Sequence, residues 1–99
     1  MSLEDHTNMI REKVAAADGL DQKVKIDLEG EGIIFIDGTS TPPGVSNTNG
    51  EADVTLIINE ENFEALMDGS LNPQMAFMMG KLKIEGDMAL ALKLGDLFS

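Results

Sequence analysis

There is no cysteine in the 99 residues, no tryptophan and no tyrosine, and only four phenylalanines. Without cysteine there is no disulfide framework, no zinc–thiolate site and no thiol nucleophile. Positive charge is scarce as well, with seven Lys and Arg against 18 Asp and Glu and a net charge of −11. A nucleic-acid binder needs stripes of Lys and Arg to meet the phosphates, so nucleic acid is excluded as a partner. Long apolar runs are missing too, and nothing approaches the ~18 consecutive apolar residues of a membrane-spanning helix. Met1 to Asp5 is acidic where a secretory signal is basic, and no apolar run follows it. Leu97-Phe98-Ser99 carries neither a prenylation cysteine nor a small-basic-leucine peroxisomal ending. The expectation is a soluble, cytoplasmic protein.

What remains is a 42% hydrophobic chain, well patterned and of a length that suits one domain over residues 1–99. Residues 3–17 read as a helix, with Ile10, Val14 and Ala17 on one stripe that Leu3 and His6 extend. Gly19 is its expected stop. Val24, Ile26 and Leu28 alternate with Lys25, Asp27 and Glu29, which is a half-buried strand. Gly30-Glu31-Gly32 breaks the pattern, and Ile33 to Ile36 completes a hairpin. Residues 37–51 are rich in Gly, Pro, Ser, Thr and Asn and read as a loop, with a short strand expected at Val45.

Ala52, Val54, Leu56 and Ile58 then mark a further strand. Asn59 is a natural helix cap, and Glu60 and Glu61 suit the positive end of the helix that follows. Phe63, Leu66 and Met67 form its apolar stripe, and Gly69 ends it. Asn72-Pro73 starts another helix, with Asn as cap and Pro at the first helical position. Residues 81–86 alternate as a strand, and Asp87 caps a last helix over residues 88–94. The fold class is α+β, a mostly antiparallel sheet of four to five strands with helices packed on one face.

Catalytic signals are sparse. His6 is the sole histidine, on a terminal helix, with no local nucleophile and orienting group to make a dyad. Glu60-Glu61 and Glu51 with Asp53 are carboxylate pairs, but no spacing singles one out, and a solvated acidic face accounts for them. Asp27-Glu29-Glu31 is not a calcium loop, and Gly30-Glu31-Gly32 is not a phosphate cradle. No catalytic residue, metal or cofactor is expected.

The informative feature is apolar. Five of the seven methionines lie between Met67 and Met88. Met75 to Met79 is an unbroken apolar run that covers a whole helix circumference, so it needs burial all round or a dry cavity on one side. Two short helices of this kind carry more apolar surface than one sheet face covers. The surplus favours an apolar pocket or a partner surface, and methionine suits ligands of varied shape.

The run Asn72-Pro73-Gln74-Met75-Ala76-Phe77-Met78-Met79-Gly80-Lys81-Leu82-Lys83-Ile84-Glu85-Gly86-Asp87-Met88 resembles the signature of the sterol carrier protein family, the nonspecific lipid-transfer domain. Ala52-Asp53-Val54-Thr55, Phe63 and Leu66-Met67-Asp68-Gly69 resemble the family's preceding strand and helix. The resemblance runs from about Val24 to Leu94 and is densest after Ala52. The chain departs from longer members in having no tryptophan and in placing Met78 where the second of two aromatics usually stands.

That resemblance implies an apolar tunnel between sheet and C-terminal helices, which binds fatty acid, fatty acyl-CoA, phospholipid or sterol without chemistry. Carried over by position, Phe77, Met78 and Met79 would line it from the Asn-Pro helix and Phe63, Leu66 and Met67 from the helix before. Met88, Leu92 and Phe98 would close the C-terminal side. Lys81, Lys83 and Lys93 are the nearby cations for a polar head. The alternative is a protein-interaction or dimerisation module that docks the same apolar helices onto a partner or a second copy.

The charge is unevenly spread. Residues 26–80 hold ten acids and no base, whereas residues 81–99 hold three of each. Transient membrane contact is therefore expected through the neutral C-terminal end, away from an acidic face that anionic bilayers repel.

Overall fold

The computed structural model describes residues 3–15, 21–40 and 43–98, with side chains as far as Gly95. Ala17 and Gly19, read above as part of a helix and its stop, lie outside these residues. The elements in chain order are α1 (Leu3–Ala15), β1 (Lys23–Leu28), β2 (Gly32–Asp37), β3 (Gly44–Ser46), β4 (Val54–Ile58), α2 (Glu60–Asp68), α3 (Pro73–Met78), β5 (Leu82–Gly86) and α4 (Met88–Phe98). The five strands form one sheet in the order β3-β2-β1-β4-β5. Every pairing is antiparallel except that of β1 with β4, which is parallel.

Alternation puts one face of the sheet inside. Val24, Ile26 and Leu28 of β1, Ile34 and Ile36 of β2, and Val54, Leu56 and Ile58 of β4 are buried. They form one core with Ile10 and Val14 of α1, Phe63 and Leu66 of α2, Ala76 of α3 and Leu90, Ala91 and Leu94 of α4. All four helices therefore pack on the same face. The expected short strand at Val45 exists as β3, with Val45 opposite Ile36. Its outer edge is closed by α1, whose Arg11 guanidinium donates to the Val45 carbonyl at 3.0 Å. Asn47 donates to the Ile33 carbonyl at 2.8 Å and to the Thr7 hydroxyl at 2.9 Å, which ties α1 to the same end of the sheet.

The parallel pair requires the chain to cross from edge strand β3 to the far side of β1. The crossing runs over the face opposite the helices, where Asn49 accepts from Lys25 at 3.1 Å and Gly50 lies against the Phe35 ring. Asp53 receives it. The Asp53 carboxylate accepts from Lys23 N–H and its own N–H donates to the Lys23 carbonyl, both at 2.8 Å. Its carbonyl accepts from Asp87 N–H at 3.0 Å, so one residue joins the starts of β1, β4 and α4.

The helix caps form as their residue types dictate. Asn59 accepts from Asn62 N–H at 2.7 Å, and Gly69 ends α2 at φ 85°. Asn72 accepts from Gln74 N–H at 2.8 Å, with Pro73 opening α3. Asp87 accepts from Ala89 and Leu90 N–H at 3.0 and 3.2 Å. The last helix continues to Phe98, four residues beyond the expected Leu94. Gly95 does not stop it, because the helix there runs against the Pro73 side chain and is supported from outside.

Two glycines at positive φ separate conformational strain from steric clash. Gly69 (φ 85°) faces open space, whereas a Cβ at Gly86 (φ 105°) would overlap the Asp53 carbonyl. Gly69→Ala should cost about 1 kcal/mol. Gly86→Ala should cost about 3 kcal/mol and lower Tm by more than about 10 °C. Equal shifts in thermal unfolding would show that the close approach at Asp53 is unimportant.

Asp87 makes a second prediction. The Gln22 amide foremost, then Leu90 N–H, hold its carboxyl below the ordinary value of 3.8. A lowered folded value means that this stabilisation is present above the unfolded pKa and is lost as pH falls through the folded one. Asp87→Asn keeps the cap and removes the titration. Its urea midpoint should therefore fall less than wild type below about pH 4.

Candidate functional site

A cavity of about 480 Å³ lies between the inner sheet face and helices α2, α3 and α4. Its floor is two cross-strand rows. Ile26, Leu56 and Ile84 are paired across β1, β4 and β5, and Ile58 pairs with Leu82 in the next row. Phe63 and Leu66 wall it from α2, Phe77 and Met78 from α3, and Met88, Ala91, Leu92 and Leu94 from α4. Asn72 and Gln74 are its polar side chains, and among the described residues no ionisable side chain lines it. Such a space holds an apolar body by exclusion from water and offers amide hydrogen bonds at one place.

Six of the nine residues named from the sequence meet around this space: Phe63, Leu66, Phe77, Met78, Met88 and Leu92. Met67 does not line it and packs against the core from partial burial. Met79 is 57% exposed, because it is the C-cap of α3 and turns away with the chain. The Phe98 side chain lies outside the described residues. Sequence reasoning did not name the floor residues as a site, although their inward phase was legible. Their convergence depends on which strands pair, and alternation within a strand is silent on that.

The helix over residues 73–79 is not buried all round; it faces the cavity on one side, through Phe77 and Met78. Only Ala76 is buried, and Met75 and Met78 are 51% and 79% exposed. The reason is length. At six residues α3 makes under two turns and sits against edge strand β5, so it buries one stripe and leaves the rest in water. Phe77 is 45% exposed while it lines the cavity, which places it at the rim.

The lysines are rearranged as well. Leu82 and Ile84 face the cavity, so Lys83 between them points to the opposite face of the sheet. It pairs across from Ile57 there and cannot meet a head group held on the cavity side. Lys81 and Lys93 are exposed and do not line the cavity.

His6 is fully buried on the α1 stripe. Its ring stands edge-on to Phe63, with centroids 5.0 Å apart and planes at 75°. Phe63 thus separates the imidazole from the cavity. The Thr7 hydroxyl beside it donates to the Leu3 carbonyl at 2.7 Å and is not poised as a nucleophile. The Asp53 carboxylate is committed to backbone, and the Glu51–Asp53 pair faces away from the cavity lining.

The family model described as the SCP-2 sterol transfer family matches residues 3–99. Sterol carrier protein 2 of Homo sapiens is 51% identical over 51 residues, which are 52% of this chain and 9% of that protein. The chain thus spans about a tenth of the length of such curated relatives. The solution structure of sterol carrier protein domain 2 of Helicoverpa armigera is 34% identical. It aligns over 96% of this chain and 74% of that one, with a TM-score of 0.67. The Aedes aegypti sterol carrier protein-2, solved in complex with the C16 fatty acid palmitate, shares the fold at 17% identity. Its TM-score is 0.81, over 100% of this chain and 97% of that one. With its sheet, helix order and cavity in place, the chain belongs to the SCP-2 sterol transfer family.

Proposed function

We propose that this domain is a non-catalytic carrier that lodges one long acyl chain in the cavity under α2, α3 and α4. The observation that carries the reading is the cavity itself, about 480 Å³ with an apolar floor and walls and, among the described residues, no ionisable lining. That volume falls within the range of about 300–1,000 Å³ typical of small-ligand sites. Each methylene moved from water contributes about 0.8 kcal/mol, so a sixteen-carbon tail gains roughly 10 kcal/mol before binding costs. No charge is needed to hold the tail. Asn72 and Gln74 are the polar groups on the lining that meet a carboxylate or ester head. The Aedes aegypti protein of the same fold was solved with palmitate bound, which supports a fatty-acyl ligand.

The second reading rests on a separate observation. Met75 and Met79 are more than half exposed and off the lining, and with the outward part of Met78 at the rim they leave an apolar patch beside the cavity. It suits transient contact with a second copy, a partner protein or a bilayer during loading.

The purified chain should take up a fluorescent long-chain fatty acid saturably at one site. Phe77→Asp, at the rim, should weaken uptake at least ~10-fold, a loss of about 1.4 kcal/mol or more. Met75→Asp, exposed and off the lining, should leave uptake unchanged. Absence of saturable uptake, or equal loss in both variants, would count against the carrier reading. Light scattering tests the second: a ligand-free dimer that Met75→Asp converts to monomer supports it.

A further inference from the structure

We propose that His6, Glu60 and Glu64 form a binding site for a divalent transition-metal ion of the Zn²⁺ class at the junction of α1 and α2. His6 is wholly buried, and neither ring nitrogen has a hydrogen-bond partner. Its Nε2 points between two carboxylates, 3.6 Å from Glu60 Oε2 and 3.9 Å from Glu64 Oε2. The three ligand atoms lie within 4.8 Å of one another.

These separations are too long for hydrogen bonds, whose heavy atoms lie about 2.7–3.2 Å apart. They are close to those of ligands sharing an ion. Two donors each about 2.1 Å from a tetrahedral Zn²⁺ are about 3.4 Å apart, so side-chain adjustments of about an ångström close the site. The carboxylates follow from helix periodicity, since Glu60 and Glu64 stand one turn apart on α2. The histidine comes from another element, and the tertiary fold alone supplies it.

Access and selectivity follow from burial and donor type. Glu60 and Glu64 are 29% and 35% exposed, so an ion enters from their side and meets the imidazole last. A water completes the fourth position there. One imidazole with two carboxylates and no thiolate suits Zn²⁺, Co²⁺ or Mn²⁺ rather than a soft ion, and the imidazole disfavours Ca²⁺ and Mg²⁺. Two carboxylates neutralise the divalent charge, and a protein of net charge −11 concentrates cations around itself. The ion would fix α1 to α2 directly behind Phe63, whose ring contacts His6 and walls the cavity.

The test uses the untagged full chain in a non-chelating buffer, with Zn²⁺ and Mg²⁺ as probes. Because the chain has one histidine, its imidazole signals are unambiguous by NMR. Zn²⁺ should shift them and raise Tm at one equivalent by calorimetry, whereas Mg²⁺ should do neither. Glu60→Gln/Glu64→Gln removes the charge from two part-exposed positions and should remain folded by circular dichroism. It should lose the Tm rise and bind Zn²⁺ at least ~10-fold more weakly. His6→Gln should do the same where it folds. An unmoved imidazole in wild type at millimolar Zn²⁺ would overturn the site. So would Zn²⁺ affinity unchanged in the folded double variant, which would mark scattered binding by surface acids.

Discussion

The register of β1 against β4 is the constraint on which the rest of the domain depends. Ile26 pairs with Leu56, and Leu56 in turn with Ile84. Side chains alternate with a period of two, so a slip of one residue would turn these rows outward and remove the cavity floor. A parallel pair has no tight turn to set its register. Asp53 supplies that restraint, by binding Lys23 through both side chain and N–H and Asp87 through its carbonyl. Gly86 lets the β5 backbone come close enough for the same residue to hold three elements.

The two halves of the inner face then serve different ends. At the β3 end, α1 is secured against the sheet by Asn47 and Arg11. Over β1, β4 and β5, three helices of nine, six and eleven residues stand against the sheet and leave a space between. Short helices cannot close such a span as side chains of one rigid core would. Methionines at the rim adapt to what fills the space, because the unbranched thioether costs little to re-orient. The exposed apolar residues of α3 and α4 are the consequence of that arrangement.

The acidic side chains are also distributed by the fold. Glu60 and Glu64 turn toward α1 and a buried histidine, whereas Asp53 is used in the sheet and Asp87 in a cap. Acids that look interchangeable along the chain therefore hold separate posts. The lysines divide in the same way, with Lys83 sent to the outer face by the alternation that sends Ile84 into the cavity.

Much of this was legible in the residues themselves. Caps at Asn59, Asn72 and Asp87, the stop at Gly69 and the alternation of β1, β4 and β5 follow from local hydrogen bonding and period-two patterning, and the structure contains each of them. The methionine surplus pointed to an apolar space beside the C-terminal helices. Local pattern is silent, however, on which strands are neighbours, since pairing depends on contacts far apart in sequence. Hence the floor residues, the outward turn of Met79 and the passage of α4 through Gly95 needed the tertiary structure. The same holds for His6. Its place on an apolar stripe follows from helical period, but α2 comes from 54 or more residues away, and only folding brings its two glutamates to the ring.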